Sequence, residues 1–243
     1  KPYAKDMIRT DASTQSIVKF LTDSPNSSQI LSTSLSSKSL KVVESTRLTS
    51  VRELLKEVED NCDVDLKSQI RKLKFVGNAD RSKSLIQCEN ILYICNNRNL
   101  AKELFYQESL RKFENYDALA FESALKIQEI ARIGFDLKEC AWTEEDGSKD
   151  ELAVQVEKIL SGQREMLKEY FQICINQKGE LESLPLIVEN YSPLLAHLPM
   201  FLIRLATEVN FEDEKECFRG ICQELAGFYS KWSLAGDDKS YNY

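Results

Sequence analysis

KFVGNADRSKSLIQCENILYIC, Lys74 to Cys95, decides how this chain folds. Two runs of aliphatic and aromatic residues, KFVG (Lys74–Gly77) and SLIQCENILYIC (Ser84–Cys95), flank a polar NADRSK segment. Such runs, bounded by turn residues, read as strands, and Glu89-Asn90 reads as a hairpin turn inside the second. Elsewhere apolar residues recur every three or four positions, the period of a helix. Helices with a few hairpin-like strands, without the strand–helix alternation that builds a parallel sheet, indicate an α+β fold: a small sheet with flanking helices.

Upstream, Ser50-Val51-Arg52-Glu53 has the pattern of a capping box. Val51, Leu54, Leu55, Val58 and Cys62 follow at helical spacing, and Leu66–Leu73 reads as a second helical piece. Residues 22–50 are dominated by Ser and Thr. Scattered single aliphatics cannot offset the ordering entropy of such a stretch, so 1–47 is predicted to be a flexible tether, with weak helix at Thr14–Leu21.

Downstream, Arg98–Phe113 reads as a helix with Leu100, Leu104, Leu110 and Phe113 near one face. Leu119–Ile133 reads as another, with a stripe of Phe121, Ala124, Leu125, Ile127, Ile130 and Ala131. After a polar turn at Trp142–Gly147, Ser148-Lys149-Asp150-Glu151 is a second capping-box pattern. It opens a helix to about Phe171, with Leu152, Val156, Ile159, Leu160, Leu167 and Tyr170 inward. Phe171–Ile175 reads as a strand. Leu184–Val188 reads as an edge strand, because Pro185 cannot donate to a ladder. Pro193 and Pro199 are expected to break the segment after it, and Asn210–Trp232 is the last helix.

Composition narrows the function. The chain has 243 residues, 42% hydrophobic, enough for one large or two small cores. A net charge of −7 repels phosphates in bulk and disfavours a generic nucleic-acid reader. The seven cysteines are irregularly spaced with no CxxC, which reads as free thiols in a reducing compartment. The one histidine, His197, has no HxxH or HExxH context and reads as structural. Neither GxGxxG nor a P-loop is present, so no nucleotide or other cofactor is expected. No apolar run approaches the roughly 18 residues that a membrane span needs.

Two adjacent features remain. LPMFLIRLATEV (Leu198–Val209) is apolar apart from Arg204, Thr207 and Glu208, and is either core or an oligomer interface, with Leu198, Phe201, Leu202, Leu205 and Val209 as its residues. Glu212, Asp213, Glu214 and Glu216 then form an acid run. Paired carboxylates can hold a metal or perform acid–base work. The competing reading is a helix start behind an Asn210 N-cap, with Glu212, Asp213 and Glu214 in the first turn, where acids complement the dipole. No separate ligand cluster points to a metal. From residues alone, the class is a non-enzymatic scaffold or interaction domain.

Several segments resemble the C-terminal region of eukaryotic MutL homologue one, the shared subunit of MutL heterodimers in DNA mismatch repair. They are LAKELFYQ (Leu100–Gln107), WTEEDGSKDELA (Trp142–Ala153), LPLIVENYSPLLAHLPMFLIRLATEVN (Leu184–Asn210) and EKECF (Glu214–Phe218). KFVG followed by LIQCENILYICN (Leu85–Asn96) is similar to that family's entry strands, and YAKDMIRTD (Tyr3–Asp11) to its linker. The resemblance implies a nuclear repair domain that binds a second MutL-type subunit and connects MutS-type mismatch recognition to an excision exonuclease, with indirect DNA contact and no membrane. It implies a dimerisation part, 48–116 and 198–243, with a largely helical subdomain, 117–197, inserted in it. It also implies truncation at the C-terminus and absence of the family's ATPase domain.

The family's partner subunit nicks DNA with a metal site marked by Asp-Gln-His-Ala, then Glu three positions on, at a strand-to-helix junction. Here the equivalent junction, after Ile91–Cys95, reads Asn96-Asn97-Arg98-Asn99, then Lys102. Cations repel a divalent metal, so no nicking, and no enzyme activity, is expected of this chain alone. By resemblance Glu214 receives a basic, aromatic partner peptide. The alternative is a generic interaction adaptor unrelated to repair.

Overall fold

A computed structural model describes Thr46 and residues 48–232. The expected tether, its weak helix at Thr14–Leu21 and the last residues lie outside them.

Helix α1, Thr49–Asp60, buries Val51 and Leu54. The expected capping box at its start is not formed. Leu48 is the N-cap, with no side-chain cap bond. Ser50 lies inside the first turn, where its hydroxyl donates to Glu214 Oε1 at 2.6 Å. The S-x-x-E pattern is satisfied here by a neighbouring helix rather than by its own backbone. Helix α2, Val64–Ile70, is capped by Asp63, which accepts from the Leu66 amide at 2.8 Å, and buries no residue.

The opening stretch forms the expected strands. β1 (Lys74–Asn78), β2 (Lys83–Cys88) and β3 (Ile91–Asn96) make an antiparallel sheet in the order β1-β2-β3. Asp80 organises the first turn, accepting from the Ser82 and Lys83 amides, each at 2.7 Å. Hydrogen bonds led by the Ser82 hydroxyl hold its carboxyl below the usual range. The second turn passes through Glu89 at φ 52°, at the expected Glu89-Asn90 position. Leu85 faces Ile94, and Ile86 faces Tyr93, across the β2–β3 pair.

β3 passes directly into α3, Asn97–Arg111, through an Asn96 cap. The inward face is met in part: Leu110 and Phe113 are buried as expected, joined by Phe105 and Ser109, whereas Leu100 is 54% and Leu104 50% exposed. Apolar residues are spread around this helix, so periodicity alone does not choose a face.

The expected helix Leu119–Ile133 is half strand. β4 spans Asp117–Lys126 and only then does α4, Ile127–Gly134, begin. Its Ala- and Leu-rich residues favour helix locally, but pairing with β6, Asp117 opposite Leu186 and Leu119 opposite Leu184, overrides that preference. The helix expected from Ser148 to Phe171 is broken at Gln163 into α5, Lys149–Gly162, and α6, Arg164–Phe171. Ser148 makes no side-chain cap bond. The box lies earlier, where Asp146 Oδ2 accepts from the Thr143 amide at 2.8 Å and its hydroxyl at 3.0 Å. Ile159, expected inward, is exposed.

β5 is only Cys174–Ile175, since Phe171 belongs to α6. β6, Glu180–Leu186, is the central strand of a second sheet, β4-β6-β5, not an edge. Pro185 is tolerated because pairing with β5 stops at Ser183, leaving one side open there. Pro199 opens α7, Leu198–Thr207, rather than breaking it, because a proline in the first turn forfeits no helical bond. α7 packs on α4, α5 and the last helix, α8, Glu214–Tyr229. α8 is capped by Asp213, which accepts from the Glu216 amide at 2.9 Å. Asn210, the expected cap, instead accepts from the Glu212 amide at 3.0 Å in the preceding turn. Glu212 therefore lies outside the helix, and Glu214 and Glu216 occupy its first turn.

α8 also packs on α1 and α3. Around it Phe113 lies against Phe218, with ring centroids 4.8 Å apart, and against Phe171 at 5.2 Å. The Tyr229 hydroxyl donates to the Pro185 carbonyl, tying the helix to the second sheet.

Candidate functional site

Three features of the surface bear on function: the seam between α1 and α8, the cleft beside it, and an apolar surface spread over the first sheet and its neighbours.

The seam is a lattice of charges. Lys215 Nζ sits between Glu53 Oε2 at 2.8 Å and Glu57 Oε1 at 3.0 Å. Arg219 donates to both oxygens of Glu57, at 2.7 and 3.2 Å, and to Glu216 at 3.3 Å. The Arg219 guanidinium and then the Lys215 ammonium pull the Glu57 carboxyl down to about 2. The same contacts push Lys215 and Arg219 up. Each pair is partly exposed and weak by itself, but the shared members lock one side of α1 to the first turns of α8.

Glu214 stands at the end of this lattice. It is exposed, and its described partner is the buried hydroxyl of Ser50. Burial, then the carboxylates of Glu169, Glu114 and Glu214, raise the Tyr170 phenol. The Tyr170 ring lies against Phe218, one helical turn on from Glu214, with centroids 5.4 Å apart, so an aromatic ring stands beside the first turn of α8. Beneath Glu214 the buried Cys217 thiol is pushed up to about 11, by burial first and by Asp213 and Glu214 after.

Beside the seam, a cleft of about 1060 Å³ opens between α1, α2, α3 and α8, with Val58, Leu66, Tyr106 and Ala226 among its walls and Glu57 and Arg219 at its margin. Partial burial pushes the Tyr106 phenol up to about 12. A second cavity, of about 540 Å³, adjoins the β3–α3 junction and is lined by Asn96, Arg98, Lys102, His197, Arg204 and Lys231. Arg204 is held by both oxygens of Glu224, each at 2.7 Å, and Lys231 by Glu139 at 3.2 Å. His197 is buried in a 3-10 turn, Leu195–His197. All seven cysteines are free. Among the described residues no three His, Cys, Asp or Glu side chains gather so as to hold a metal ion, and no helix is long and apolar enough to cross a membrane.

Leu198, Phe201, Leu202, Leu205 and Val209 are all buried within the chain, covered by its own helices. The exposed apolar surface lies elsewhere. Fifteen large hydrophobics are exposed among the described residues, and ten of them fall between Val64 and Leu104. They come from α2 (Val64, Leu66, Ile70), β1 (Phe75, Val76), β3 (Ile91, Leu92, Ile94) and α3 (Leu100, Leu104). Leu92 and Ile94 share one face of β3, and Leu85 lies opposite Ile94 on that face. This surface and the Ser50–Glu214 bond were both missed by sequence reasoning. A signal for the first was present: Ile91-Leu92-Tyr93-Ile94-Cys95 is apolar at every position, as in strands covered on both faces.

A family model described as DNA mismatch repair protein Mlh1 C-terminus matches residues 47–242. The chain is 41% identical over 182 residues to DNA mismatch repair protein Mlh1 of Dictyostelium discoideum, covering 75% of this chain and 21% of that protein. It is 32% identical over 213 residues to DNA mismatch repair protein MLH1 of Saccharomyces cerevisiae, covering 79% and 27%. It is 30% identical over 194 residues to the putative MutL protein homolog 1 of Schizosaccharomyces pombe, again covering 79% and 27%. The chain thus spans only 21% to 27% of the length of these relatives.

Proposed function

The chain belongs to the family of DNA mismatch repair Mlh1 C-termini, and from that premise we propose that it serves mismatch repair in the nucleus by pairing with a second MutL-type subunit. The exposed apolar surface between Val64 and Leu104 carries this reading. Exposed large hydrophobics concentrated in one stretch of a chain whose core is otherwise filled point to a surface that another protein covers. β3 supports it, since Leu92 and Ile94 stay exposed on one face with Leu85 opposite Ile94, an apolar strip framed by the polar Gln87 and Asn96.

In this reading the dimerisation part comprises 48–116 and 198–243, and 117–197 is inserted in it. α7 then lies at the junction, because it packs both on α4 and α5 and on α8. The chain contributes no nicking chemistry of its own: Arg98 and Lys102 stand where a metal site would need acid and imidazole. Glu214 receives a basic, aromatic segment of a further partner such as an excision exonuclease. Support for that role comes from its exposure and from the Tyr170 ring beside the first turn of α8.

Co-expression with a MutL-type subunit and co-purification through a tag on either chain tests the pairing. A stable one-to-one complex is expected. Failure to pair, with a chain that melts cooperatively by itself, would remove the reading.

A further inference from the structure

The acids of the α1–α8 seam are not equivalent. Glu53, Glu57 and Glu216 are each held by Lys215 or Arg219. Glu214 has no cationic partner among the described residues. Its described contact is the hydroxyl of Ser50, 164 positions away in sequence, donating to Oε1 at 2.6 Å. Ser50 is itself buried in the first turn of α1 while Glu214 is exposed at the first turn of α8. Among the described residues the seam thus leaves one carboxylate without a cation and holds it from beneath with a neutral donor.

We infer that Ser50 is a positioning residue for Glu214, holding its carboxylate in the rotamer that receives a cationic side chain of a partner peptide; this rests on the peptide-docking reading of Glu214. A glutamate has three freely rotating side-chain bonds, and a cation that binds it must freeze them. Ser50 freezes them in advance. The hydroxyl occupies one of about four lone-pair directions on the carboxylate, so three stay open, and it carries no charge to cancel that of Glu214. Arg or Lys in place of Ser50 would order Glu214 equally well and neutralise it; a hydroxyl orders it without that loss. The lattice of Lys215, Arg219 and Glu57 supplies the rigidity, because it keeps α1 from sliding along α8 and so keeps Ser50 under Glu214.

The test is a double-mutant cycle on the full chain, read by calorimetry with a short synthetic peptide carrying lysine and phenylalanine. Ser50→Ala is expected to weaken the peptide by about two- to tenfold, the cost of immobilising one flexible side chain on binding. Glu214→Gln weakens it also, and the double variant is no weaker than Glu214→Gln alone, because Ser50 acts only through that carboxylate. The melting temperature of Ser50→Ala stays near that of the native chain, since alanine is the better helix residue and the lost bond leaves an acceptor that water satisfies. No binding to the native chain, or unchanged binding in Glu214→Gln, overturns the docking reading and this inference with it. If Glu214→Gln weakens the peptide and Ser50→Ala does not, the inference alone fails. It fails too if Ser50→Ala weakens binding equally in the Glu214→Gln background, or abolishes the cooperative melt, since the hydroxyl would then be serving the fold.

Discussion

Leu92 and Ile94 offer the sharpest separation of docking from folding. They are 56% and 67% exposed on one face of β3. Fully burying an aliphatic side chain of this size is worth about 1.5–3 kcal/mol. Scaled by the exposed fractions, covering Leu92 would yield about 0.8–1.7 kcal/mol and covering Ile94 about 1–2 kcal/mol. Replacing both with threonine keeps strand preference, removes most of that apolar area and places two hydroxyls in the contact. The paired complex should weaken by about 2 kcal/mol, or roughly thirtyfold in Kd. The free chain should lose no more than about 0.5 kcal/mol, because both side chains already face water there. Titration of the second MutL-type subunit by calorimetry or sedimentation measures the first quantity, and urea unfolding of the free chain the second. Tyr93 supplies the control. It alternates onto the other face, where its hydroxyl donates to Gln69 Oε1 at 3.0 Å, so Tyr93→Phe should leave pairing unchanged. Native affinity in the double threonine variant would refute the assignment of this face, and a stability loss of core size would show that the face is covered within the chain itself.

Two further perturbations address the interior and the seam. Leu205 is fully buried, so Leu205→Ala should cost about 2–5 kcal/mol in chemical denaturation, and Leu205→Asp should abolish cooperative folding by burying an unpaired charge; a loss under about 1 kcal/mol for the alanine variant would contradict the core role of α7. Glu57 is depressed from 4.5 to about 2, so its contribution to the seam is complete above 4.5 and fades as pH falls through about 2. A carboxyl titration by NMR should find that midpoint, moving back toward 4.5 in Arg219→Ala, and a native midpoint already near 4.5 would dismiss the lattice.

Much of the architecture follows from local pattern. The first sheet is readable from Lys74–Cys95 because each strand is short, bounded by turn residues and paired with its neighbour in sequence. α1 and α8 are readable from their apolar spacing. The errors lie where distant partners decide. Asp117–Lys126 has helical composition and becomes strand because β6, some 60 residues later, supplies its ladder. Leu184–Val188 suggests an edge because of Pro185, yet β6 is central, since the pairing of β5 ends before that proline.

The sequence by itself determined the family, the mixed α and β character and the position of Glu214 at the start of an acidic helix, because these depend on residue identity and near-neighbour spacing. Only the tertiary structure decided which apolar residues are spare. Leu198–Val209 reads in the sequence as core or interface, and the helices α4, α5 and α8 that enclose it make it core. Leu92, Ile94, Leu100 and Leu104 look no different in the sequence, but the fold places them where nothing in the described chain covers them fully. Burial is a property of what surrounds a side chain, and neither the side chain nor its sequence neighbours carry that information. The same holds for Ser50: its hydroxyl matches a helix cap by pattern, and becomes the support of Glu214 only when α1 is laid against α8.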